Sequence, residues 1–245
     1  MWIPGSLKLS FLILALLAMP ASSATLTALS PASVTPGLKA LAEQYSARTG
    51  KAVTVGGGSR AAVLGALRKG PADMVVLPTS DLIEMNLVHG MTPLGRIPVG
   101  VAVKAGAPVP DISTPEKFRA VLLKARGVAF ADPSAGTSAG KVIASMLDLS
   151  DFRGVKRVPV QGLAVTGLAD GRADIALQLA PELVNDKAVA FAGPVPERYG
   201  AAVDFSAGIA AVSLDALGAR NFISFITDPA NKKLWQSHGV TPLFR

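Results

Sequence analysis

Three stretches of the sequence place hydroxyl side chains or glycines directly ahead of a helical run. They are Ser30-Pro31-Ala32-Ser33, Gly56-Gly57-Gly58-Ser59-Arg60 and Asp132-Pro133-Ser134-Ala135-Gly136-Thr137-Ser138. The first turn of a helix exposes unpaired backbone N–H groups and the positive end of the helix dipole, so such turns favour an anion. Any one of Ser30, Ser59 and Ser138 reads equally well as an N-cap worth about 1 kcal/mol. Three such serines at equivalent positions, two with glycine alongside, point instead to a shared anion site, with Ser134 and Thr137 of the third stretch among its candidates. Arg60 sharpens the chemistry, because a guanidinium at the mouth of a glycine turn can hold a carboxylate or phosphate through paired hydrogen bonds. Its bland alternative is a solvated arginine, mildly disfavoured beside the positive helix end.

Other chemistries fit less well. Gly136-Thr137-Ser138-Ala139-Gly140 matches the G-x-S-x-G pattern of a hydrolase nucleophile, and a downstream Asp with His238 keeps the required order. An elbow, however, needs the strand to run straight into the first glycine, and here Asp132-Pro133-Ser134-Ala135 intervenes. A secreted serine hydrolase using Ser138 and His238 is therefore the alternative of a different class. The glycines at 56–58 lack the Lys-Ser/Thr of a P-loop. No His, Asp or Glu cluster has metal-site spacing, and no metal or cofactor is expected.

The elements that must position these turns alternate between strand and helix. Strands are expected at 25–29, 51–55 and 73–77, with helices over 36–49, 60–69 and 80–88. The apolar run at 96–104 is too long for an ordinary central strand and reads as a passage from one lobe to another. A second series follows: helix 114–125, strand 128–131, helix 138–147, a short helix at 163–169 and strand 174–178. The apolar segment 201–212 could carry the chain back, ahead of helices at 215–225 and 229–237. Such alternation implies parallel sheet covered by helices, with ligands at the carboxyl ends of the strands.

Composition narrows the setting. Residues 1–24 carry Lys8, an apolar core at 9–19 and a small-residue ending, Pro20-Ala21-Ser22-Ser23-Ala24. That is an export signal, since the apolar run is well short of the roughly 20 residues that span a bilayer. No cysteine follows it, so a lipid anchor is excluded, as are disulfides and a cysteine nucleophile. Stability must come from a core, which a half-hydrophobic chain of this length can build. The formal charge of +7 falls to +6 once Lys8 is gone, with the cations scattered singly or in pairs. No nucleic-acid surface is expected, though a basic protein attracts anions generally.

In this order the motifs resemble the periplasmic molybdate-binding proteins of ABC importers, within the two-lobed type II solute-binding proteins. The resemblance runs through Ala28-Leu29-Ser30, then Gly58-Ser59-Arg60 with Gly70-Pro71-Ala72-Asp73-Met74. It continues in Asp132-Pro133 with Ala139-Gly140, in Asp170-Gly171-Arg172-Ala173-Asp174-Ile175, and in 222–239. It implies an α/β chain of two lobes, each an open α/β sheet, joined by two hinge crossings. Residues 25–100 with 206–245 would form the first lobe and 101–205 the second. It further implies capture of a small anion in the periplasm by a monomer that delivers it to a membrane permease, without catalysis. In that family molybdate is held by serine hydroxyls, backbone N–H groups and a tyrosine. Ser30 matches the first serine, Ser59 or Arg60 the second, Ser138 and Ala139 lie near the alanine amide, and Gln161 falls close to the valine amide.

Two departures bear on the ligand. Gln178-Leu179 stands where the family has its tyrosine, and the only mature tyrosines are Tyr45 and Tyr199. An arginine beside the second serine breaks the uncharged pattern, and a buried guanidinium is costly without an anionic partner. Both point from a tetrahedral oxyanion such as molybdate or tungstate towards an organic di- or tricarboxylate. Gln161 and Gln178 would supply amide donors, each equally readable as a polar surface residue, while Glu182 is expected to cap or pair.

Overall fold

A computed structural model describes residues 25–245. The export signal read at 1–24 lies outside the described residues. The chain opens with strand β1 (Leu26–Pro31), helix α1 (Thr35–Thr49), β2 (Val53–Gly58), α2 (Arg60–Lys69), β3 (Met74–Pro78) and α3 (Thr79–Met85). The first two helices stop at glycines: Gly50 takes the left-handed conformation after α1, and the extended Gly70 follows α2. Strands β1, β2 and β3 are parallel, with β1 in the middle.

Strand β4 (Val88–Lys104) then runs 17 residues, about 55 Å of extended chain. It is one strand because two different partners satisfy its two ends. Residues from Val88 to Pro98 pair antiparallel with β9 (Ala202–Ala210), which also pairs with β3. From Val99 onward its partners are β7 (Ile175–Leu179) and β8 (Val189–Pro194). Between these lie α4 (Pro115–Lys124), β5 (Val128–Ala131), α5 (Ser138–Leu147), β6 (Arg157–Val160) and α6 (Val165–Ala169), with α7 (Ala180–Val184) following β7. Strands β5, β6 and β7 form the second parallel set. Helix α8 (Ala216–Ile226), a short 3-10 turn at Pro229–Asn231, α9 (Lys232–Ser237) and β10 (Thr241–Pro242) close the chain against the first sheet. The protein is thus a mixed α/β chain whose two sheets share β4.

Several elements depart from expectation. The glycines at 56–58 belong to β2 rather than to a turn, because they pair with Leu29, Ser30 and Pro31 of β1. Strands β6 and β8 and helix α7 were not expected from the sequence at all. The helix foreseen over 229–237 is broken into a 3-10 turn and a shorter helix, as Asp228 caps the turn through the Ala230 amide.

The largest apolar cluster runs along both sheets, with a smaller one on each half beside it. At one end Trp235 is fully buried and lies on Gly37, where a Cβ would come within 2.8 Å of the indole. At the other end Phe118, Phe152 and Tyr199 pack ring against ring at 4.8–5.6 Å. Asp73 ties strand ends together: its buried carboxylate accepts from the amides of Thr27, Leu214 and Asp215 and from the Ser213 hydroxyl. These donors come from β1 and from the turn after β9, so one acid at the start of β3 ties together the interior strands of the first sheet. Such pinning matters to the loops at the other ends of the same strands.

Candidate functional site

The carboxyl end of β1 carries Ser30, fully buried, whose Oγ lies 2.8 Å from Thr35 Oγ1. Ser30 is paired in register with Gly57. That approach is so close that a Cβ on Gly57 would stand 1.9 Å from the Ser30 carbonyl oxygen, and Gly57 has a φ of 137°. Only glycine satisfies both conditions. Ser33, in the turn between β1 and α1, is buried and its Oγ has no hydrogen-bond partner among the described residues. A buried hydroxyl without a partner costs roughly 1–3 kcal/mol, so this turn is built with a donor to spare.

Ser59 caps α2, accepting from the Ala62 amide at 3.2 Å. Arg60 follows as the first residue of that helix. Its Nε donates to Asp81 Oδ2 at 2.6 Å, and among the described residues the one partner of its two outer nitrogens is Met85 Sδ, 3.8 Å from Nη2. Asp81 lies in the first turn of α3 and is 2% exposed. The other oxygen of Asp81 accepts from Ser138 Oγ at 3.4 Å, a contact that joins α3 to α5. Ser138 is free to make it because Thr137, not Ser138, caps α5 by accepting from the Gly140 amide at 3.1 Å. Asp81 therefore brings together Arg60 and Ser138, which stand on the first residues of two ten-residue helices from the two halves of the fold.

The remaining expected residues are placed as follows. Ala139 is the second residue of α5 and half-buried. Ser134 is exposed in the short 3-10 turn after β5, its amide donating to Asp132 Oδ1. Gln161, exposed at the end of β6, donates to Asp132 Oδ2 at 3.1 Å. The Ser134 hydroxyl and amide, aided by Gln161, hold the Asp132 carboxyl below its ordinary range. Gln178 is buried at the end of β7; its Oε1 accepts from the Ala164 amide at 2.7 Å and its Nε2 donates to Glu182 at 2.8 Å. Burial pushes the Glu182 carboxyl up, with the Gln178 hydrogen bond offsetting part of the rise. The amides of Gln161 and Gln178 are thus tied to acids of their own neighbourhood, and Arg60 and Ser138 form the cross-connected pair. Neither tyrosine replaces the missing one: Tyr45 packs on Phe222 and Phe225, and Tyr199 donates to Pro115 O and Asp151.

Sequence reasoning missed Asp81, Thr79 and Ser206. Thr79 Oγ1 and Ser206 Oγ lie 2.8 Å apart, linking α3 to the crossing strand β9. The available signal was Thr79-Ser80-Asp81, a fourth hydroxyl-bearing stretch, where β3 passes directly into α3. The hydrolase geometry is not met among the described residues. Strand β5 ends at Ala131, five residues before Gly136, and the Ser138 hydroxyl is bonded to Asp81 rather than to a histidine. His238 lies at the end of α9.

Two α/β sheets sharing a long strand, with hydroxyl-bearing turns at their carboxyl ends, define a solute-binding protein of the periplasmic type. The chain belongs to the bacterial extracellular solute-binding protein family, whose model matches residues 26–241. It is 26% identical over 232 residues to a Pseudomonas aconitate isomerase, covering 89% of this chain and 88% of that protein. Among solved structures it is similar to the substrate-binding domain of a putative molybdenum ABC transporter from Clostridium difficile. There the TM-score is 0.68 at 16% identity, over 89% of this chain and 98% of that one. The periplasmic molybdate-binding protein of Azotobacter vinelandii gives 0.65 at 18% identity, over 88% and 98%. The fold is that of the molybdate-binding-like solute-binding proteins.

Proposed function

We propose that this protein captures a small organic di- or tricarboxylate in the periplasm and hands it to the permease of an ABC importer. The ligand would lie between two lobes, 25–100 with 206–245 and 101–205, that close about the crossings β4 and β9. Arg60 carries the reading: its Nε is anchored on Asp81 while its outer nitrogens are left to a second anion. Ser30, Ser59 and Ser138 with the first amides of α2 and α5 would complete the cradle, and Ser134, Thr137, Ala139, Gln161 and Gln178 would line the second lobe's side. An arginine suits a planar carboxylate, which it meets with two parallel hydrogen bonds. The relative named aconitate isomerase supports the same class, aconitate being a tricarboxylate.

That name also favours a second reading, in which the bound acid is isomerised rather than only carried. Thermal-shift screening against citrate, aconitate, malate, succinate, molybdate, tungstate, sulfate and phosphate separates the possibilities. A ligand at 100 times its dissociation constant adds about 2.7 kcal/mol of stability. Stabilisation by carboxylates is expected; stabilisation by molybdate or tungstate alone would overturn the carboxylate assignment. Incubation with trans-aconitate followed by NMR tests turnover, and appearance of the cis isomer would make the protein an isomerase.

A further inference from the structure

We propose that Asp81 is the specificity-determining residue of the cleft, selecting anions that carry a hydroxyl, hydroxy di- or tricarboxylates, and rejecting fully deprotonated oxyanions. The inference rests on the anion-capture reading above and narrows its ligand class. Asp81 is 2% exposed, and its two oxygens meet Arg60 of α2 and Ser138 of α5. A resident carboxylate therefore stands between the first turns of two helices, where the positive helix ends and free N–H groups favour an anion.

Two consequences follow for any ligand. Arg60 and Asp81 form an ion pair, so the positive charge available to an incoming anion is already partly answered. An ionised carboxylate is also an acceptor only. Molybdate, tungstate or sulfate would set bare oxygens against bare oxygens there, with no proton between them. A ligand hydroxyl resolves that conflict by donating to Asp81 Oδ1. At 3.4 Å the Ser138 hydroxyl is a long donor to that oxygen, and an O–H donor at an ordinary 2.5–3.0 Å would displace it. The Ser138 hydroxyl, so released, can turn to the ligand's carboxylate, as can the outer nitrogens of Arg60. Hydroxyl on Asp81 and carboxylate on Arg60 and Ser138 is the pattern of a hydroxy acid.

Matched ligands test this by calorimetry on the purified protein: citrate against tricarballylate and malate against succinate, each pair differing in one hydroxyl. The wild-type protein is expected to prefer the hydroxylated member by roughly tenfold or more, because without the ligand hydroxyl the single Ser138 donor must serve either Asp81 or the ligand's carboxylate and one buried acceptor goes short. It should bind molybdate and sulfate weakly. In Asp81→Asn the preference should collapse and molybdate or sulfate binding should rise, since the amide can donate. Ser138→Ala should keep the hydroxyl preference while weakening both members of a pair. Equal binding of the matched ligands by the wild-type protein overturns the proposal even if Asp81→Asn does not fold. A preference that persists in a folded Asp81→Asn overturns it too, and either result leaves carboxylate capture standing. Absence of binding by every carboxylate would instead bring down the capture reading and this inference with it.

Discussion

Arg60→Ala removes one partner of an ion pair whose other partner is almost wholly buried. The Asp81 side chain is 3% exposed and that of Arg60 24%. Breaking a fully buried pair from one side costs about 3–5 kcal/mol, because the remaining charge is left uncompensated. Arg60 is a quarter open, so water can enter the space it vacates, and about 2–3 kcal/mol is the appropriate expectation. After the change the one donor left to Asp81 among the described residues is the Ser138 hydroxyl at 3.4 Å. For a chain of this size that is a fall in Tm of roughly 5–10 °C. Urea unfolding of the ligand-free protein at neutral pH measures it directly. Adding Asp81→Asn to Arg60→Ala should recover much of the loss, since the stranded charge goes, whereas Arg60→Lys should fall between, keeping the charge without the planar fork. Citrate binding should be lost in Arg60→Ala. A single mutant within about 0.5 kcal/mol of wild type, or a double mutant no better than the single, would refute the claim that Arg60 compensates a buried charge on Asp81.

Two further changes probe the supports of the site. Gly57→Ala would drive a methyl group into the Ser30 carbonyl at a φ of 137°; it should lower stability by about 2 kcal/mol or more and weaken ligand binding, both visible by thermal melting with and without citrate. Glu182→Gln tests the buried acid beside Gln178. A carboxyl raised in the folded state binds its proton more tightly there than in the unfolded chain, so its presence lowers stability as pH rises from the unfolded value, about 4.3, through the folded one. The glutamine variant should therefore be the more stable at neutral pH, the difference vanishing below about pH 4; equal stability curves across that range would exclude the burial effect.

Much of the fold is local in origin, and so it can be read along the chain. Helix α2 over Arg60–Lys69, strand β5 over Val128–Ala131 and helix α5 over Ser138–Leu147 lie where apolar spacing and turn residues place them. In each, the signal comes from residues within a few positions of one another. Strands β6 and β8 escaped because each carries a proline and lacks a clear apolar alternation, and what makes them strands is the partner beside them, β5 and β4 respectively. The glycines of β2 likewise became strand only through β1, which lies a helix away in sequence.

The residue types of the site were legible as well. A hydroxyl or glycine ahead of a helix acts through that helix's own first turn, so Ser59 and the Thr137-Ser138 turn announced themselves. Asp81 did not. By itself it is one more acid in the first turn of a helix, with nothing to distinguish it from a solvated N-terminal aspartate. Its partners stand 21 and 57 positions away, and only the folded chain buries it and hands it Arg60 and Ser138 in place of water. Sequence alone thus determined an α/β protein with a cluster of potential anion donors. Tertiary structure decided that a carboxylate already stands among them, because burial and charge pairing depend on elements that only folding brings together.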